Sequence, residues 1–191
     1  MTHKAATIDA QSALNRLIEG NARSVLSDAY QGDVSANIRK QTAELGQQPY
    51  AIIITCSDSR VIPEAIFSAG IGELFVIRVA GNVIDRHQLG SIEYAADHLG
   101  TALVVVLGHT GCGAVDAALH DDPEGYIKDI TDEIKTAIGE ESDAYQATRK
   151  NVIHAVQTIE SSLDIQYDEE NYGLRVIPAI YDIATGRVDF F

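Results

Sequence analysis

Cys56 and Cys112 are the only cysteines of the chain, and His109 lies three residues before the second of them. Two thiolates and one imidazole are donors that zinc takes in catalytic sites, with a fourth position left for water. Soft sulfur and borderline nitrogen favour Zn2+ over Mg2+ or Ca2+. Within Gly108-His109-Thr110-Gly111-Cys112-Gly113, both donors can turn toward one point at the start of a helix. Glycines 111 and 113 let the backbone bend sharply there. Either cysteine alone would ordinarily be a small buried hydrophobe. The other histidines, His3, His87, His98, His120 and His154, default to surface or satisfied positions.

Asp58 and Arg60 follow Cys56 closely and admit two readings. In one, Asp58 caps a helix that Pro63 opens, and its ion pair with Arg60 contributes little. In the other, Arg60 holds Asp58 bidentately and ionised beside the metal. Asp58 would then accept a hydrogen bond from zinc-bound water, or swing in as a fourth ligand and block the site.

The elements that must position these residues are legible as periodic patterns. Tyr50–Thr55 and Ala102–Leu107 are uninterrupted, β-branched apolar runs, as expected of strands covered on both faces. Leu74–Arg78 and Arg175–Tyr181 read as further strands, with Pro178 demoting the second to an edge or bulged position. Thr185-Gly186 turns into a short terminal strand, Val188–Phe190. Between them, Ile92, Ala95, Ala96 and Leu99 make one helical stripe, with Ser91 as its expected N-cap and Gly100 as its stop. Val152, Ala155, Val156, Ile159 and Leu163 make a second, and Ile127, Ile130 and Ile134 a third. The expectation is an α/β fold with a mostly parallel central sheet, flanked by helices and closed by an edge strand near the C-terminus. Ligands of such sheets bind beyond the carboxyl ends of the strands at a switch point in strand order. Cys56 follows the first apolar run directly, and His109 and Cys112 follow the second.

A chain of 191 residues suits one domain. A net charge of −14 argues against nucleic acid or an anionic membrane as partner. Residues 121–170 hold 14 acids against four Lys and Arg, which reads as solvated helix faces. No stretch approaches the roughly 18 apolar residues of a membrane span, and Met1 to Gly20 lacks the apolar core of an export signal. Two cysteines in such a chain fit a reducing cytoplasm, where metal or thiol chemistry outranks a structural disulfide.

Cys56-Ser-Asp-Ser-Arg60, followed by Val61-Ile-Pro-Glu64, resembles the first signature of β-class carbonic anhydrases, and Gly108–Gly113 the second. The likeness runs through Gly72–Arg78, Ala80-Gly-Asn82 and Ser91-Ile-Glu-Tyr94, and more loosely from Leu17 to Phe191. The resemblance implies one Zn2+ per chain on Cys56, His109 and Cys112, an Asp58–Arg60 dyad, and reversible hydration of carbon dioxide to bicarbonate by a metal-bound hydroxide. It implies a homodimer or tetramer whose sites lie at the subunit boundary. Gln47, Phe75 and Tyr94 would line the cleft, partly from the neighbouring subunit, with core packing the ordinary alternative for Phe75 and Tyr94. Backbone N–H groups near Gly113 and Ala114 would face the developing anion. Residues 1–45 would form a helical arm of the single domain 1–191, packing on the partner around Leu14, Leu17 and Ile18. Two departures stand out. Val79 occupies a position where the family often has asparagine, and Ile53 replaces a tryptophan tied to bicarbonate regulation in some members, so that regulation is not expected here. The competing expectations are a carbonyl sulfide or carbon disulfide hydrolase on the same scaffold, and a non-catalytic interaction protein.

Overall fold

The computed structural model describes residues 3–27 and 29–191; residues 1, 2 and 28 of the expected arm lie outside it. Five strands form one sheet: β1 (Ala51–Thr55), β2 (Leu74–Arg78), β3 (Leu103–His109), β4 (Arg175–Tyr181) and β5 (Val188–Phe190), in the order β2-β1-β3-β4-β5. All pairings are parallel except β4 with β5. From β1 the chain goes to β2 on one side and then returns to β3 on the other. The carboxyl ends of β1 and β3 therefore flank the switch point.

Every residue of β1 and β3 is buried, because helices cover both faces. Strand alternation sorts their side chains. Ala51, Ile53, Leu103, Val105 and Leu107 meet α1 (Ala10–Leu26) and the short α3 (Pro63–Ile66) with Phe67. Ile52, Ile54, Val104 and Val106 meet α4 (Arg86–Leu99), α7 (Ala144–Glu160) and α8 (Leu163–Tyr172). A third cluster, from α5 (Gly113–His120), α6 (Tyr126–Ile138) and α7, closes around Cys56 and Cys112. The remaining helix, α2 (Ala36–Leu45), buries none of its residues.

Several expectations need correction. Ser91 is not an N-cap: Asp85 accepts from His87 N–H in a capping box with Gln88, starting α4 earlier, and the Ser91 hydroxyl bonds back to the His87 carbonyl. Gly100 does end the helix, with a φ of 70°. Ile127 is 60% exposed, since the buried stripe of α6 runs through Thr131, Ile134 and Ile138. The α7 stripe stops at Ile159; Leu163 is 79% exposed and opens α8, a helix the periodicity did not reveal. Leu17 is wholly buried against its own domain and does not face a partner, whereas Ile18 is exposed.

Pro178 lies in a penultimate strand, at the point where β5 gives out. Its carbonyl accepts from Phe191 N–H, so the polar edge of Pro178 faces the end of β5 and the missing donor breaks no bond to β3. At the other end of the chain, Asn21 joins α1 to the terminal hairpin. Its amide donates to the carbonyls of Ile66 and Gly186 and accepts from Val188 N–H.

Candidate metal centre

Cys56 is the first residue after β1, His109 the last of β3, and Cys112 the N-cap of α5. Gly111, at a φ of 64°, reverses the chain so that Cys112 returns beside His109. Gly108 is required for a different reason. A Cβ there would lie 2.5 Å from a Val152 methyl, because α7 passes directly over the end of β3. The three donor atoms lie within 4.8 Å of one another, and all three residues are buried.

The protonation pattern suits a cation. His109 Nδ1 is 3.0 Å from the Thr110 carbonyl, which can only accept, so Nδ1 carries the hydrogen. The lone pair is then on Nε2, which is buried and has no hydrogen-bond partner. An unpaired buried acceptor is costly, and a metal ion among the donors satisfies it. Both cysteines are free. Hydrogen bonding from Cys112 lowers Cys56, and the same contact together with burial raises Cys112. Gly81 N–H donates to Cys56 Sγ at 3.2 Å. The donor set and its orphaned nitrogen fit zinc.

Asp58 does not cap α3, which has no side-chain cap and begins at Pro63. Instead Arg60 grips it: Nε donates to Oδ1 at 3.0 Å, a terminal nitrogen to Oδ2 at 2.7 Å, and the backbone N–H to Oδ1 at 2.9 Å. The guanidinium holds the carboxyl well below the usual carboxylate range. The same nitrogen that meets Oδ2 also donates to the Gly111 carbonyl, tying the two signature loops together. Asp58 Oδ2 lies 4.0 Å from His109 Nε2, at the edge of the donor cluster.

Two supports escaped the sequence reading. Arg78, aligned with Thr55 across the β1–β2 pairing, donates to the carbonyls of Cys56 and Asp58. Asn151 is buried and donates to the Gly81 carbonyl at 2.8 Å, fixing the turn whose N–H meets Cys56. A signal for Asn151 existed, since it sits one turn before Ala155 on the buried face of α7.

The expected pocket residues divide. Gly113 opens α5 beside Cys112 and is exposed. Phe75 and Tyr94 face each other with ring centroids 6.3 Å apart; Phe75 is half-buried and Tyr94 is 46% exposed. Gln47 is exposed before the amino end of β1, whereas Cys56 follows its carboxyl end. Five strand residues separate them by about 17 Å, so Gln47 does not meet the sulfurs of its own chain.

The family model for carbonic anhydrase matches residues 51–188. Carbonic anhydrase 2 of Mycobacterium tuberculosis is 45% identical over 132 residues, 66% of this chain and 63% of that protein, so the match spans just under two thirds of the relative. The carbonic anhydrase of Mycolicibacterium smegmatis is 34% identical over 190 residues, 93% of this chain and 91% of that one. Among solved structures, the β-carbonic anhydrase CafA of Aspergillus fumigatus aligns with a TM-score of 0.77 at 25% identity, covering 95% of this chain and 89% of that one. A tetrameric β-carbonic anhydrase of Sordaria macrospora aligns at 0.75 and 26% identity, covering 82% and 87%. Fold, donor geometry and these likenesses converge: the chain belongs to the carbonic anhydrase family, in its β class.

Proposed function

We propose that the protein is a zinc-dependent carbonic anhydrase, catalysing the reversible hydration of carbon dioxide to bicarbonate and a proton. The observation that carries this is the buried, unpartnered His109 Nε2 set among two free sulfurs at the switch point of the sheet. Cys56, His109 and Cys112 would hold the ion, which supplies the Lewis acidity that makes water nucleophilic at neutral pH.

The chain's own groups do the rest. Arg60 keeps Asp58 ionised and fixed, so that a carboxylate oxygen can accept a proton or hydrogen bond from the reacting water. Gly81 N–H and the backbone N–H groups of Val115 and Ala114 favour thiolate at Cys56 and Cys112. The exposed start of α5 at Gly113 offers N–H groups to an anionic product. The β3 and α7 walls keep His109 out of water.

The substrate cleft is completed by a second copy. Gln47 precedes β1, Phe75 lies near the amino end of β2, and Tyr94, in the carboxyl half of α4, faces Phe75 there, so in this reading they serve the neighbouring site. Of the expected arm, exposed Ile18 and α2 are the parts that pack on the partner. Support comes from α2, which buries nothing on its own domain, and from exposed Ile18, Val34 and Leu45. A tetrameric relative supports further assembly. Among the described residues no helix is long and apolar enough to cross a membrane, and the two free cysteines fit a cytoplasmic setting.

Stopped-flow hydration of CO2 by zinc-loaded and chelated protein tests the reading directly. Hydration lost on chelation and restored by Zn2+ supports it. Release of hydrogen sulfide from carbonyl sulfide faster than CO2 turnover would assign the sulfur substrate instead.

A further inference from the structure

A second trio of donors converges at the opposite pole of the sheet. Asp97 lies in the last turn of α4, just before the amino end of β3; Asp168 lies in α8, whose end leads into β4; His3 precedes α1. His3 Nδ1 is 3.2 Å from Asp97 Oδ1 and 3.2 Å from Asp168 Oδ1, and all three atoms lie within 4.8 Å of one another. Three separate segments thus meet at one point. The Lys4 N–H, bonded to the Asp97 carbonyl, brings the first segment there.

The two carboxylates are the anomaly. Their side chains are only 9% and 4% exposed, and neither Oδ1 receives a hydrogen bond. Two carboxylates buried together cannot both ionise without positive charge between them. Burial, and then the charge of Asp97, push Asp168 up to about 6. The His3 ring stands at ion-pair distance from both oxygens, but its one Nδ1–H cannot serve two carboxylates and is hydrogen-bonded to neither Oδ1. It is held in its plane by stacking on Tyr172, with centroids 4.5 Å apart.

The spacing matches a coordination shell. Around an ion held at about 2.0–2.2 Å, adjacent donors in octahedral or tetrahedral geometry lie roughly 3.0–3.4 Å apart. A cavity of about 20 Å3 adjoins His3 and Asp168, bounded by Gly100, Thr101, Tyr172 and Leu174. It has room for about one water as a further ligand. We propose that His3 Nδ1, Asp97 Oδ1 and Asp168 Oδ1 bind a first-row divalent cation, of the Mn2+ or Zn2+ type, at a site separate from the thiolate centre. One imidazole with two carboxylates suits such ions and lacks the soft sulfur of the other pole. The bound ion ties the segment before α1 to α4 and α8.

Mn2+ is the probe, because it favours carboxylates and does not displace zinc from thiolates. Zinc-loaded, full-length protein titrated with MnCl2, followed by the EPR amplitude of free Mn2+, should take up one Mn2+ per chain. Asp97→Asn, Asp168→Asn and His3→Ala should each weaken uptake by about tenfold or more. Asp122→Asn, on the exposed acidic face, should leave it unchanged. His3→Ala changes a side chain ahead of the first helix, so it reports even if a buried asparagine variant fails to fold. Equal uptake by wild type and His3→Ala overturns the site. So does an absence of tight Mn2+ uptake, which would leave the trio as a clasp between protein groups alone.

Discussion

At the carboxyl ends of β1 and β3, three donors are held by a shell of further bonds; at the amino ends, three donors meet with almost none. Cys56 takes a hydrogen bond from Gly81, which is fixed by Asn151, and His109 is pinned through Nδ1 to Thr110. The Oδ1 atoms of Asp97 and Asp168 receive no hydrogen bond, and His3 Nδ1 stands 3.2 Å from each. The first arrangement sets donor orientation before an ion arrives, as fast chemistry requires. The second, in the reading proposed above, would leave an ion to impose order, which suits a structural tie.

The largest effect that would sharpen this contrast is on the sulfur pole. Cys56→Ser or Cys112→Ser should abolish zinc retention and CO2 hydration together, a loss exceeding the roughly 10–100-fold that supporting residues cost. Mn2+ uptake at the other pole should persist, as metal analysis beside the EPR titration will show. Next, Asp58→Ala should lower kcat/KM by about 100-fold while the protein keeps its zinc. Full activity in that variant removes Asp58 from the mechanism. Asn151→Ala leaves the Gly81 carbonyl unpaired, costing about 1–3 kcal/mol of stability, and should weaken zinc binding by about tenfold. A chelator competition unchanged by this substitution would dissolve the claim that the sulfur pole is pre-set. Smallest, Asp168→Asn in metal-depleted protein removes one of two facing buried carboxylates. Its melting temperature should hold or rise by roughly 2–4 °C, the size of about 1 kcal/mol in a chain this long. Added Mn2+ should raise the melting temperature of wild type alone, and a similar rise in the variant would break the comparison.

The two poles also differ in how far they could be read from residues alone. β1 and β3 were legible because uninterrupted β-branched runs have few other uses, and the donors at their ends come in compact signatures. His3, Asp97 and Asp168 come singly from three segments, and no local pattern announces them. Asn151 was hidden similarly, as a lone polar residue in an apolar stripe. Ser91 misled because a good capping residue also serves inside a helix when its hydroxyl turns back to a carbonyl four residues earlier. Leu17, expected on a partner, turns inward because α1 lays its apolar face on its own sheet.

The contacts of Asn21 have a consequence for the order of folding. Two of its partners, Gly186 and Val188, lie 165 and 167 residues away along the chain. Closing so long a loop costs entropy that only many non-local contacts repay, so this seam forms late, after β4 and β5 have joined the sheet. Local opening of the same seam would free α1 from the terminal hairpin while the buried strands β1 and β3 still hold.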